Sequence, residues 1–83
     1  MAYDTFTFNI VANIGAISKR TDLKGDEWTK EVNLVSWNGR EPKVDIREWN
    51  EDHSRMGRGL TLTAEEEEML CMILHEHMRE RSK

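Results

Sequence analysis

The apolar rhythm of this 83-residue chain changes once, at Thr63. Before it, apolar residues recur at every second position, the period of a strand with one covered face. After it, Met69, Leu70, Ile73, Leu74 and His77 recur at helical spacing, with Met72 and Met78 alongside. Strands therefore come first and one helix last. Thr63-Ala64-Glu65-Glu66 reads as a capping box with Thr63 as N-cap and Glu66 at N3. Glu65 to Glu68 sit where a helix start favours negative charge, and Arg79, Arg81 and Lys83 where its end favours positive charge.

Within the strand region, residues 5–17 alternate, with Phe6, Phe8, Ile10, Ala12 and Ile14 on one face. A bend or bulge is expected near Gly15. Residues 18–29 are polar and read as a loop. The second strand runs over 30–37, with Val32 and Leu34 facing one way and Asn33, Val35 and Trp37 the other. Asn38-Gly39 signals a turn, and Pro42 closes that loop. The third strand covers 43–49, with Val44 and Ile46 on one face and Lys43, Asp45, Arg47 and Trp49 on the other. Residues 50–59 read as a loop and 60–62 as a short fourth strand. The expected fold is α+β, a four-stranded antiparallel sheet followed by a C-terminal helix over one sheet face.

The chain is expected to be one domain over 1–83, and a chain this short buries only about 60% of its unfolded surface. Apolar residues make up 37% and charged residues 34%, a thin supply for a core. One cysteine excludes an internal disulfide framework and fits a reducing cytoplasm. Oligomerisation is the remaining support. The stripe Met69, Leu70, Ile73 and Leu74 exceeds what one sheet needs and is the candidate dimer interface. No apolar run approaches the ~18 residues of a membrane span, and no basic signal-peptide start is present. The expected location is therefore cytoplasmic.

Net charge is −4, which argues against a nucleic-acid partner until its distribution is read. Residues 63–83 carry six Glu against Arg79, Arg81 and Lys83, and 1–62 carry nine Lys/Arg against ten Asp/Glu. The acid is concentrated in the helix, which leaves a local basic surface elsewhere open. On the third-strand face, Lys43, Arg47 and Trp49 alternate, and Trp37 projects from the same side of its neighbour. Exposed bases stack on aromatic rings while Arg or Lys meets phosphate, so this pattern suits single-stranded nucleic acid. The competing reading places both tryptophans in the core, where Trp is usually mostly buried. Arg55-Met56-Gly57-Arg58-Gly59 is a basic, glycine-flanked loop without the Walker spacing. His75 and His77 are two apart, where a helical metal site needs four. No metal, cofactor or catalytic group is expected, and Cys71 reads as an inert packing residue.

Three segments together resemble a known family. They are Lys30-Glu-Val-Asn-Leu-Val-Ser-Trp37, then Val44-Asp-Ile-Arg-Glu-Trp49, then Met56-Gly-Arg-Gly-Leu-Thr-Leu-Thr63 with acidic residues opening a helix. The match resembles the single-strand-binding domain of transcriptional positive cofactor 4, in its short bacterial YdbC-like members. The resemblance covers residues 30–74. It implies a curved sheet, a homodimer and single-stranded-DNA binding across the sheet, in transcription or single-strand handling, without catalysis and associated with the nucleoid. Carried over by motif, Lys30, Trp37, Arg40, Arg47, Trp49 and Arg58 fall on its nucleic-acid-binding positions. The face reading adds Lys43. Glu41 and Pro42 depart from the more basic hairpin of the eukaryotic members, and their serine-rich acidic tail is absent. Two alternatives stand beside this reading: RNA in place of DNA, and a protein-interaction dimer docking through its acidic helix.

Overall fold

A computed structural model describes residues 6–83. Four strands, β1 (Phe8–Thr21), β2 (Glu27–Trp37), β3 (Lys43–Asn50) and β4 (Met56–Leu62), form one antiparallel sheet in chain order. The helix α1 (Ala64–Arg81) follows. The α+β expectation is met. Of the strand expected over 5–17, Thr5 lies outside the described residues.

Most of the stretch read as a loop over 18–29 is strand. β1 runs on to Thr21 and β2 begins at Glu27, so the turn is short. Asp22 closes it locally. Its Oδ1 accepts the backbone N–H groups of Lys24 and Asp26, and Gly25 takes a positive φ of 90°. Polarity misled here because an exposed hairpin end is polar whether or not it is paired. Likewise β4 starts at Met56, inside the stretch read as the 50–59 loop.

β1 does not alternate as the sequence suggests. Its pairing with β2 slips between Ile10 and Ala12, Asn13 and Gly15, and Ala16 and Ser18. Val11, Ile14 and Ile17 fall out of register at these slips and are half-exposed, at 49%, 59% and 59%. Phe8 pairs with Trp37 and Ile10 with Val35, whereas Ala12 pairs with Leu34 on the opposite face. The expected single face of Phe8, Ile10, Ala12 and Ile14 is therefore split. Each bulge bends a strand and increases its twist. Repeated along an edge strand, bulges curl the sheet and also discourage edge-to-edge pairing.

That curvature decides which face is covered. The two faces separate as read from β2 and β3, but the enclosed side is the polar one. Val35, Asn33, Asp45 and Trp49 are fully buried there, and Glu31 nearly so. The helix, expected to cover Val32, Leu34, Val44 and Ile46, touches the sheet only at β3 and β4, and none of its residues is buried. Val44 alone of those four is buried. The capping box does form. Glu66 N–H donates to Thr63 Oγ1 at 3.1 Å, and Thr63 N–H donates to Glu66 Oε1 at 2.9 Å. The helix is thus locally well started and laterally almost unsupported. Met69, Met72, Ile73, Leu74 and Met78 are 49–65% exposed, and Leu70 is half-buried.

Candidate nucleic-acid interface

The β2–β3 hairpin positions the site. Asn38 and Gly39 both take positive φ, 53° and 76°, as an Asn-Gly pair readily does. Arg40 N–H donates back to the Trp37 carbonyl at 2.9 Å. β2 and β3 then stay in register from Val35↔Lys43 to Trp28↔Asn50. Trp37, Asp45, Arg47 and Trp49 consequently share one face, joined by Phe8 from β1.

Trp49 differs from the sequence expectation of an exposed indole. It is fully buried, with Phe8 at 5.1 Å between ring centroids and His53 at 5.4 Å. Two features enclose it. The curl of β1 carries Phe8 over β2, and the β3–β4 loop folds His53 back with a positive φ of 60°. His53 Nε2 lies 3.0 and 3.1 Å from the two carboxylate oxygens of Glu31. Glu31 in turn accepts from Asn33 Nδ2, whose Oδ1 accepts from Asn13 Nδ2 at 2.7 Å. This polar line runs from the exposed Asn13 through the buried Asn33 and Glu31 to the part-exposed His53, and so gives the buried members hydrogen-bond partners. Beside it, Trp49 Nε1–H is buried without an acceptor among the described residues, as is Trp37 Nε1–H.

Arg47 is also less available than its sequence position suggests. Nε and Nη2 donate to the two oxygens of Asp45 at 2.7 and 2.8 Å, and Nη1 reaches the Gly57 carbonyl at 3.3 Å. Thr61 Oγ1 donates to the same carboxylate at 2.7 Å. The guanidinium lies 4.8 Å from the Trp37 ring centre, a cation–π arrangement. Gly59 faces this pair, and a Cβ there would collide with Arg47 Cβ and the Ile46 carbonyl. Glycine is needed for that close approach.

The other candidates are spread wider. Arg40 and Lys43 are exposed at the hairpin beside Trp37. Arg58 is exposed where two residues of β4 oppose Glu48. Lys30 is exposed but pairs with Glu48 and shares the face of Val32 and Leu34, away from Trp37. Among the described residues, none of these four cations has a carboxylate within ion-pair distance. At the far end of the sheet, Trp28 lies near both Arg20 and Arg55, at 5.8 and 5.6 Å. Its Nε1–H donates to Asp22, the main reason that carboxyl lies below its ordinary range. Arg20 is held bidentately by Glu48, which pushes the Glu48 carboxyl down and the guanidinium up.

Sequence reasoning missed His53 as the cover of Trp49 and Phe6 and Phe8 as partners of the tryptophans. The Phe-x-Phe alternation was the available signal. For His53 there was none, because its role depends on a loop conformation.

An open, curved antiparallel sheet, with aromatic and arginine side chains gathered on one face and cations on the adjoining hairpin, defines a sheet-based binding domain. The likeness to known proteins specifies the class. Residues 24–73 match the model of the Transcriptional Coactivator p15 (PC4) family, and the chain belongs to that family. It is a nucleic-acid-binding, non-enzymatic family whose domain binds single-stranded DNA. The chain is also 43% identical over 63 residues to an uncharacterized protein of Treponema pallidum (strain Nichols), covering 76% of this chain and 69% of that protein. Among the described residues, no helix is long and apolar enough to cross a membrane.

Proposed function

We propose that this chain is one non-enzymatic domain that binds single-stranded DNA as a homodimer with little sequence specificity, in transcription or single-strand handling at the nucleoid. Beyond family membership, the observation that carries this reading is the hairpin. Trp37, with Arg47 over its ring, stands beside Arg40 and Lys43, two exposed cations without carboxylate partners among the described residues. A π surface with free cations alongside can take a base and its phosphate together. Asp45 already neutralises Arg47, so phosphate contact falls to Arg40 and Lys43, with Arg58 further along and Lys30 on the other face.

Salt dependence tests this assignment. Labelled oligonucleotides, single-stranded and duplex, are titrated at several salt concentrations. Single strands should bind more tightly, with log affinity falling by ~0.7 per log salt for each phosphate neutralised. Lys43→Ala and Arg40→Ala should each make that slope shallower by about this amount. A salt-independent affinity, or equal affinity for duplex, would remove the reading. RNA oligonucleotides in the same titration decide between the two sugars.

The homodimer rests on uncovered apolar surface. Met69, Ile73 and Leu74 are about half-exposed, as is Leu60 on β4. A second copy laid on this surface would bury it. Sedimentation should therefore give twice the 9.8 kDa chain mass. Ile73→Asp should return a single-chain mass, because dimerisation would bury an unpaired charge. A mass unaffected by that change would show that the interface lies elsewhere.

A further inference from the structure

Trp37 has three close neighbours. From β3 comes the Arg47 guanidinium, from β1 comes Phe8, at 6.0 Å and 49°, and from just before β1 comes Phe6, at 5.6 Å and a 30° tilt. A base that stacks where one of these groups lies must displace it. The neighbours are held with very different firmness. The Arg47 side chain is only 15% exposed and is pinned by the Asp45 carboxylate and the Gly57 carbonyl. Phe8 is half-buried in the sheet and packs on Trp49 as well. Phe6 is 59% exposed and precedes β1, outside the strand pairing. Among the described residues, Thr7 fastens it to the hairpin by a reciprocal latch. Thr7 N–H donates to Asn38 Oδ1, and Asn38 N–H donates to the Thr7 carbonyl, both at 2.9 Å.

We propose that Phe6 is a built-in stand-in for a nucleobase. It fills a stacking subsite on Trp37, and a single strand binds by exchanging a base for Phe6 as Thr7 unlatches from Asn38. This rests on the single-strand-binding reading above. The phenyl ring offers the indole a π face, as a base does, but brings no charge. A nucleotide brings a phosphate as well, and Arg40 and Lys43 stand on the same hairpin to receive it. The exchange is therefore favoured only when a strand is present. Otherwise the ring shields Trp37 from water and from adventitious contacts. The closed arrangement is also imperfect, because Trp37 Nε1–H is buried without an acceptor among the described residues. Such a donor carries a desolvation cost. Phe6 lies outside the stretch that matches the family, residues 24–73.

Two variants test it, read by fluorescence anisotropy with a labelled oligo-thymidine strand. Phe6→Ala removes the competing ring. Asn38→Gly removes the side-chain half of the latch and keeps a residue suited to positive φ. Both should raise affinity by about 2- to 12-fold, the factor equivalent to the ~0.5–1.5 kcal/mol of an aromatic pair. Phe6→Trp, a larger stacking ring, should lower it. A fall in affinity in Phe6→Ala would make Phe6 a ligand platform and overturn the proposal. Unchanged affinity in both variants would make it a passive cap and do the same. If Phe6→Ala folds poorly, Asn38→Gly decides alone, since it leaves the ring in place. Wild-type protein that binds no single strand overturns this proposal together with the reading beneath it. Normal wild-type binding with inert variants overturns this proposal only.

Discussion

Trp49→Ala should destabilise the protein by ~3–5 kcal/mol, the range for emptying a fully buried large aromatic site. A domain of this size has only about 4–12 kcal/mol to lose. Trp49 is completely enclosed, and its ring contacts Phe8 and His53 from two other elements. Its removal therefore loosens the curl of β1 and the β3–β4 loop together. Trp49→Phe should be milder than Trp49→Ala, because it keeps an aromatic ring and leaves a smaller cavity. It also deletes an N–H that is buried without an acceptor among the described residues. Urea unfolding of both variants, with oligonucleotide affinity measured on the folded protein, checks this. A Trp49→Ala protein of unchanged stability but lost affinity would show the indole to be an accessible stacking platform.

Asp45→Ala should be comparably damaging, at ~3–5 kcal/mol, for an electrostatic reason. Asp45 is fully buried and supplies both carboxylate oxygens to Arg47, one of them also to Thr61. Its loss leaves a largely enclosed guanidinium without a counter-charge, and breaking such a pair from one side is what costs most. Arg47→Met in the same background removes the stranded charge while keeping apolar bulk. The double variant should therefore recover a good part of the loss. Chemical denaturation of the two single variants and the double variant measures this as a cycle. If Asp45→Ala alone is neutral, water reaches the site and the pair is not enclosed.

Several elements were legible in the residues alone, because they depend on short-range physics. The helix follows from its period and from Thr63 and Glu66, whose reciprocal hydrogen bonds involve only four consecutive residues. The β2–β3 hairpin follows from Asn38-Gly39, which accepts positive φ cheaply. The split of β2 and β3 into two faces follows from strict alternation without bulges between them. The grouping of Trp37, Arg47 and Trp49 came with it. The ends of β1, β2 and β4 were misplaced because paired hairpin ends and open loops are equally polar.

The sequence by itself thus determined the order of elements, the helix cap, the hairpin and the residues sharing each sheet face. Only the tertiary structure decided which face is closed and which side chains are free. Three register slips in β1 curl that strand, so Phe8 reaches Trp49 across β2 and the polar face becomes the enclosed one. A backward-folded loop brings His53 to Glu31, although 22 positions separate them. The Asp45–Arg47 pair is local, two residues apart on one strand face, but its enclosure is tertiary. Alternation states which way a side chain points, a property of adjacent backbone units. Curvature accumulates over whole strands, and burial depends on it, so neither can be read from any one stretch of residues.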